Sequence, residues 1–229
     1  LAGSDALLVG PGLGRSAATR ALVEGLLVAW RGPVVLDADA LNVFEGDADA
    51  LGALLVGRPA LVTPHPAEFA RLAGGSVRDA VEERYEAAPA LARRLGACVL
   101  LKGVPTLLAA PDGRVLVSAA GTPALAVAGS GDLLSGVCVT LLAQMDDALA
   151  AAACAAWAHG RAGERALESR PPRIDDRGVA DRGGLLVRGA TLDDVLAALG
   201  GAWSEPERRA PYPVLGDLPA VGERRGTRA

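Results

Sequence analysis

Four short apolar runs, Asp5–Val9, Pro33–Asp37, Ala60–Thr63 and Cys98–Leu101, each break off into a turn-forming cluster, and this recurrence narrows the possible folds most. The first gives way to Gly10-Pro11-Gly12-Leu13-Gly14, the second to Asp37-Ala38-Asp39, the third to Pro64-His65-Pro66 and the fourth to Lys102-Gly103. Helical patterns follow the first three, and Ser16 stands as an N-cap before one that runs to about Trp30. Strands that are apolar throughout are buried on both faces, and strands alternating with helices build a parallel sheet. The reading is therefore α/β, with helices packed on a mostly parallel sheet whose carboxyl ends face a ligand.

The sheet is expected to turn antiparallel at one edge, because Thr106–Ala109 and Arg114–Ser118 flank the Pro111-Asp112-Gly113 turn as a hairpin. Ser76–Leu95 reads as a charged, solvated helical layer interrupted by Pro89. Two Ala-rich helices are expected, one to about Gln144 and one from Asp146 to about Leu167. Arg170–Gly184 reads as a loop, and Thr191 caps a last helix to Leu199. Residues 1–199 then form one domain and residues 200–229 a tail outside the core.

A 229-residue chain that is 51% hydrophobic but 3% aromatic builds its core from Ala, Val and Leu. With 23 basic and 27 acidic residues and a net charge of −4, it advertises no nucleic-acid surface, so an anionic ligand must be held by local geometry. Cys98, Cys138 and Cys154 have no metal-like spacing and read as buried, reduced thiols. Without a membrane-length apolar run or a signal peptide, a cytoplasmic homo-oligomer is expected.

Ala128-Gly129-Ser130-Gly131-Asp132 is a small-residue turn opening a helix. Its glycines let backbone approach a ligand, and the unpaired amides and positive dipole end of such a helix favour a phosphate. Asp132 then reads either as a cap or as a base beside an anion hole made by Gly129, Ser130 and Gly131. Lys102, at a strand end with Gly103 behind it, suits a phosphate or nucleotide, and His65 is held between two prolines on the ligand side.

With these motifs in order, the chain resembles the ADP-dependent NAD(P)H-hydrate dehydratases of the ribokinase-like superfamily. The match rests on Val9-Gly10-Pro11-Gly12-Leu13-Gly14, Thr63-Pro64-His65-Pro66-Ala67-Glu68, Leu101-Lys102-Gly103-Val104-Pro105-Thr106 and Ala128-Gly129-Ser130-Gly131-Asp132, and spans roughly Asp5 to Leu199. It implies a three-layer α/β/α fold and the ADP-dependent dehydration of the S epimer of hydrated NADH or NADPH to NAD(P)H, AMP and phosphate. By similarity Asp132 is the catalytic base. Gly12, His65 and Asp132 meet the hydrated dinucleotide, while Lys102, Gly103, Val104, Pro105, Thr106 and Gly131 meet the nucleotide. Mg2+ is expected on the phosphates rather than in a protein-ligand site. The resemblance also implies a fused or separate NAD(P)H-hydrate epimerase as partner.

The chain has Ala67 where the family has Gly in Pro-Gly-Glu, and Thr122 and Ala124 where the family has Gly-Asn-Pro-Gly. Each Ala adds a methyl group where a glycine backbone can take positive φ. The family also carries an upstream segment with helices and a strand, so a chain opening at Leu1 is expected to be a fragment, aggregation-prone and inactive alone. Two alternatives stay open on the residues: an ATP-dependent ribokinase-like kinase for a small molecule, and a catalytically inactive nucleotide-binding domain.

Overall fold

A computed structural model describes residues 3–168, 173–174, 180–181 and 189–204. Six strands form one mixed sheet in sequence order: β1 (Leu7–Val9), β2 (Val34–Leu36), β3 (Ala60–Val62), β4 (Cys98–Leu101), β5 (Thr106–Ala109) and β6 (Val115–Ser118). β1 to β4 pair in parallel, and β5 and β6 form the expected antiparallel hairpin.

Alternation along the strands sorts the core into two sides. Val34, Leu36, Val62, Val99 and Leu101 pack with α1 (Ala17–Ala29), α3 (Ala48–Leu55), α4 (Pro66–Ala73) and α6 (Arg84–Leu95). Val35, Leu61, Cys98 and Leu100 face α7 (Ser130–Leu142) and α8 (Ala148–Glu168). A strand shows successive side chains to opposite faces, so runs that are apolar at every position must be covered twice. That is the three-layer α/β/α arrangement.

Local signals set several boundaries. Ser16 caps α1 by accepting from Thr19 N, and Gly74 and Gly96 close α4 and α6 in the left-handed conformation. The helical stretch expected over Ser76–Leu95 breaks at Glu83, between α5 (Val77–Glu82) and α6, and not at Pro89, which is buried inside α6. Nor is α6 a solvated layer: Ala88, Leu91, Ala92 and Leu95 are buried in the core on the sheet, while Glu86, Arg93 and Arg94 are exposed. α9 (Leu192–Ala202) continues past Leu199 since Ala202 is buried with Val195 against Ala162 and Ala166 of α8. Within the Arg170–Gly184 stretch, expected as a loop, Arg173–Ile174 (β7) pairs with Ala180–Asp181 (β8); its other residues, and 205–229, lie outside the described ones.

Among the described residues no helix is long and apolar enough to cross a membrane. Cys98 and Cys138 are buried, and burial pushes both thiols up to about 12, which leaves them protonated and unreactive. Cys154 is half-buried rather than buried.

After β2 the chain turns into α2 (Asp39–Asn42) through Ala38, which has φ 50° and ψ −119° and is the non-glycine residue with positive φ among those described. Such a conformation costs an L residue about 1–3 kcal/mol. Ala38→Gly is therefore expected to stabilise the protein by about 1 kcal/mol once the extra chain entropy of glycine is set against the relieved strain. Urea denaturation reads this directly; a lower midpoint would mean that the Ala38 methyl packs well enough to outweigh the strain.

Candidate active site

The carboxyl ends of the parallel strands carry the chemistry-bearing residues. After β1, Gly10 sits so close to β2 that its missing Cβ would stand 1.7 Å from Asp37 O. The glycine turn is then tied to the next strand end, because Gly14 N donates to Asp39 Oδ2 at 2.8 Å.

His65 follows β3, but not on an open loop: it is the N-cap of α4. Its Nδ1 accepts from Ala67 N at 3.1 Å and Glu68 N at 3.3 Å, and Glu68 Oε2 accepts from His65 N at 2.9 Å, a reciprocal cap. Pro66 at the first helical position locks it further. Burial, with the Lys102 and Arg71 charges, holds the His65 imidazole below its ordinary range against the opposing pull of Glu68 and Asp37. An Nδ1 that accepts from backbone leaves Nε2 as the protonated nitrogen, and Nε2 lies 3.3 Å from Glu68 Oε1. Neither Ala67, in the first turn of α4, nor Ala124, in the 3₁₀ turn Pro123–Leu125, has positive φ, so neither methyl group reshapes its loop.

Lys102 follows β4 and reaches back over β3. Its Nζ lies 2.9 Å from Asp37 Oδ1 and 3.8 Å from Glu68 Oε2, and both carboxylates are buried. Gly103 and Pro105 then turn outward, held by Arg84, whose Nη1 donates to Pro105 O at 2.6 Å. Arg84 is buried at the head of α6 and was expected among solvated charges; its partner lies 21 residues along the chain, which no local pattern announces.

α7 opens next to the Lys102 ammonium. Gly129 is its N-cap in the left-handed conformation, φ 83°, so Asp132 is not the cap but the third helical residue. The Ser130 amide is engaged by Val127 O at 3.2 Å, which leaves those of Gly129, Gly131 and Asp132 without an intrahelical acceptor. Asp132 is exposed, and its carboxylate has no hydrogen-bond or ion-pair partner among the described residues. A Cβ on Gly131 would stand 3.5 Å from Lys102 Nζ, so ammonium and helix start meet.

Beside them opens a cavity of about 860 Å³, large enough for a small organic ligand. Val104, Pro105, Leu125, Val127 and Leu134 give it an apolar wall, suited to the flat face of a base, while His65, Lys102, Thr106, Ser130 and Gly131 supply polar groups. Gly12, Gly129 and Asp132 are not part of its wall. The structure thus brings Lys102–Thr106, His65 and Gly131 to one cavity, with Asp132 on the helix turn at its side and Gly12 on the turn after β1. Among the described residues no three His, Cys, Asp or Glu side chains cluster to hold a metal ion.

The residue that sequence reasoning missed is His159. It lies mid-helix in α8, buried in the cavity wall, with Nε2 3.1 Å from Ser130 Oγ. An imidazole inside an Ala-rich helix carries no local signal of its partner 29 residues away. Burial pushes it down to about 4, with the Lys102 charge acting in the same direction. In the unfolded chain it takes its proton near 6.5, so between these values the unfolded state binds more protons and stability falls as pH falls. The group accounts for a loss on the order of 3 kcal/mol across that window. His159→Asn, which can still meet Ser130, is expected to flatten the pH dependence of urea unfolding between pH 6.5 and 4; an unchanged slope would show that other groups govern it.

Comparison with known proteins bears on the family of the chain. Residues 1–177 match the NAD(P)H-hydrate dehydratase family. The chain is 45% identical over 170 residues to the bifunctional NAD(P)H-hydrate repair enzyme Nnr of Salinibacter ruber, covering 74% of this chain and 31% of that protein. It is 42% identical over 166 residues to the ADP-dependent (S)-NAD(P)H-hydrate dehydratase of Neisseria meningitidis, covering 72% and 56%. The ADP/ATP-dependent NAD(P)H-hydrate dehydratase of Bacillus subtilis, co-crystallised with ATP and Mg2+, superposes with a TM-score of 0.68 at 28% identity, over 87% of this chain and 64% of that one. The chain thus spans about a third to two thirds of the length of these relatives. With a ribokinase-like sheet, the glycine turns at its strand ends and a family match over most of its length, the chain belongs to the NAD(P)H-hydrate dehydratase family.

Proposed function

We propose that this protein dehydrates the S epimer of hydrated NADH or NADPH, using ADP as phosphoryl donor and releasing NAD(P)H, AMP and phosphate. The observation that carries the reading is the start of α7, where an exposed carboxylate with no partner among the described residues stands beside backbone amides that have no intrahelical acceptor, next to the nucleotide-sized cavity.

Asp132 takes the proton from the ring hydroxyl as that oxygen attacks the β-phosphorus of ADP, and the bond to AMP breaks. The open amides of α7 hold the charge on the transferred phosphoryl group, acting without reorganisation because the helix has already oriented them. The ring nitrogen then donates its lone pair, the carbon–oxygen bond breaks with loss of phosphate, and the neighbouring carbon gives up a proton to restore the double bond. Gly103–Thr106 and the apolar wall seat the adenylate, while Gly12 and the fixed ring of His65 face the dinucleotide. The phosphates would carry Mg2+, an ion that needs one or two carboxylates at most from the protein and that, when bound, neutralises phosphate charge. A NAD(P)H-hydrate epimerase, fused or separate, would keep the S epimer supplied.

The test is hydrated NADH with ADP or ATP, followed by the return of reduced-nicotinamide absorbance. Recovery with ADP supports the reading. Recovery with ATP alone would change the donor, and phosphorylation of a different hydroxyl compound without recovery would make the protein a kinase. Adenylate binding without any turnover would make it a nucleotide-binding domain only.

A further inference from the structure

Lys102 belongs by sequence to the segment that seats the adenylate, yet its ammonium does not follow that segment. Gly103–Thr106 run outward to Val104, which is 97% exposed, while the Lys102 side chain bends the other way, across the end of β3 toward β2. Asp37 Oδ1 accepts from it at 2.9 Å, and Glu68 Oε2 lies 3.8 Å away. The Asp37 and Glu68 side chains are 2% and 6% exposed and the Lys102 side chain 21%, so the carboxylates lie beneath and the ammonium is what the site sees. Above it is the start of α7, with Nζ 3.5 Å from the place of a Gly131 Cβ.

We propose that Lys102 acts on the phosphoryl group in transfer and not on the adenylate, with Asp37 as its positioning residue; this rests on the phosphoryl step of the function proposed above. Asp37 is itself fixed, for the same Oδ1 accepts from Ala38 N at 2.8 Å at the strained turn after β2. One N–H of the ammonium is used by Asp37, leaving others for a phosphoryl oxygen. As the bond from phosphorus to AMP breaks and the bond to the substrate oxygen forms, charge spreads over the equatorial oxygens, and Lys102 keeps its proton while donating to one of them. Held by a buried carboxylate, the cation needs no reorientation in that step. The helix dipole end and the ammonium act on the same anion.

The experiment separates the two places by binding alone. Calorimetry measures AMP, and then inorganic phosphate on the AMP-saturated protein, for the native chain, Lys102→Met and Asp37→Asn, each checked for cooperative melting. The expected result is AMP affinity within about twofold of the native value and phosphate affinity lower by about tenfold or more in Lys102→Met, with a smaller phosphate loss in Asp37→Asn. Lys102→Gln takes the place of Lys102→Met if that variant does not melt cooperatively. In turnover, kcat falls while KM for ADP changes little. Weaker AMP binding with phosphate unchanged would return Lys102 to the adenylate, and no change in either would make the ion pair structural; both outcomes overturn the proposal. Because binding needs no turnover, a protein that meets these expectations but never dehydrates NADH hydrate would sink the activity and leave the anion site standing.

Discussion

Replacing Asp132 by Asn is expected to lower kcat for NADH-hydrate dehydration by about 10²–10⁴-fold while the protein melts within a few degrees of the native chain. The size follows from the work assigned to the carboxylate: an amide of nearly equal shape cannot accept the hydroxyl proton. The intact fold follows from its surroundings. Asp132 is exposed on the first turn of α7, it does not cap the helix, and its side chain has no partner among the described residues. Only its favourable charge at the helix start is lost, worth about 0.3–1 kcal/mol. AMP binding by calorimetry and a thermal melt separate the two effects. Activity within about tenfold of native would reduce Asp132 to a helix-start charge and move the base elsewhere.

Gly10→Ala is expected to be the most damaging single methyl group in the sheet, costing more than about 4 kcal/mol or leaving the protein insoluble. Gly10 has φ 136°, and a Cβ there would lie 1.7 Å from Asp37 O and 2.8 Å from Asp37 C. Backbone cannot swing aside as a side chain does, so the ends of β1 and β2 would have to part, breaking the Asp37 N to Val9 O hydrogen bond of 3.1 Å. Gly12→Ala is the control. Gly12 also has positive φ, at 73°, but nothing lies within 4 Å of its Cβ position, so strain alone costs about 1 kcal/mol. Urea midpoints of the two variants give the comparison, and equal losses would mean that the contact with Asp37 relaxes more easily than its geometry implies. A folded Gly10→Ala protein should also bind phosphate poorly, since the displaced backbone carries Asp37 and through it Lys102.

The sheet was legible in the residues because its causes are local. Val34-Val35-Leu36 and Ala60-Leu61-Val62 are apolar at every position, and a strand with that pattern needs cover on both faces. Ser16 and Thr191 announced their helices, and Pro111-Asp112-Gly113 announced the hairpin. Where local logic misled, a tertiary contact had overridden it. Pro89 sits inside α6 because packing of the inner face of that helix outweighs one missing amide donor, and Asp132 yielded the cap position to Gly129.

By itself, then, the sequence determined the chain order of the six strands of the main sheet, the loops that reach its carboxyl edge, and the presence there of His65, Lys102 and Asp132. Tertiary structure alone decided what each of these side chains faces. Lys102 and Asp37 are 65 residues apart, His159 and Ser130 are 29, and Arg84 and Pro105 are 21. Periodicity and capping act over a few residues and record nothing about such pairs. An ammonium settles where burial leaves it a carboxylate, so Lys102 turned toward Asp37, and that choice exists only once β2, β3 and β4 lie side by side.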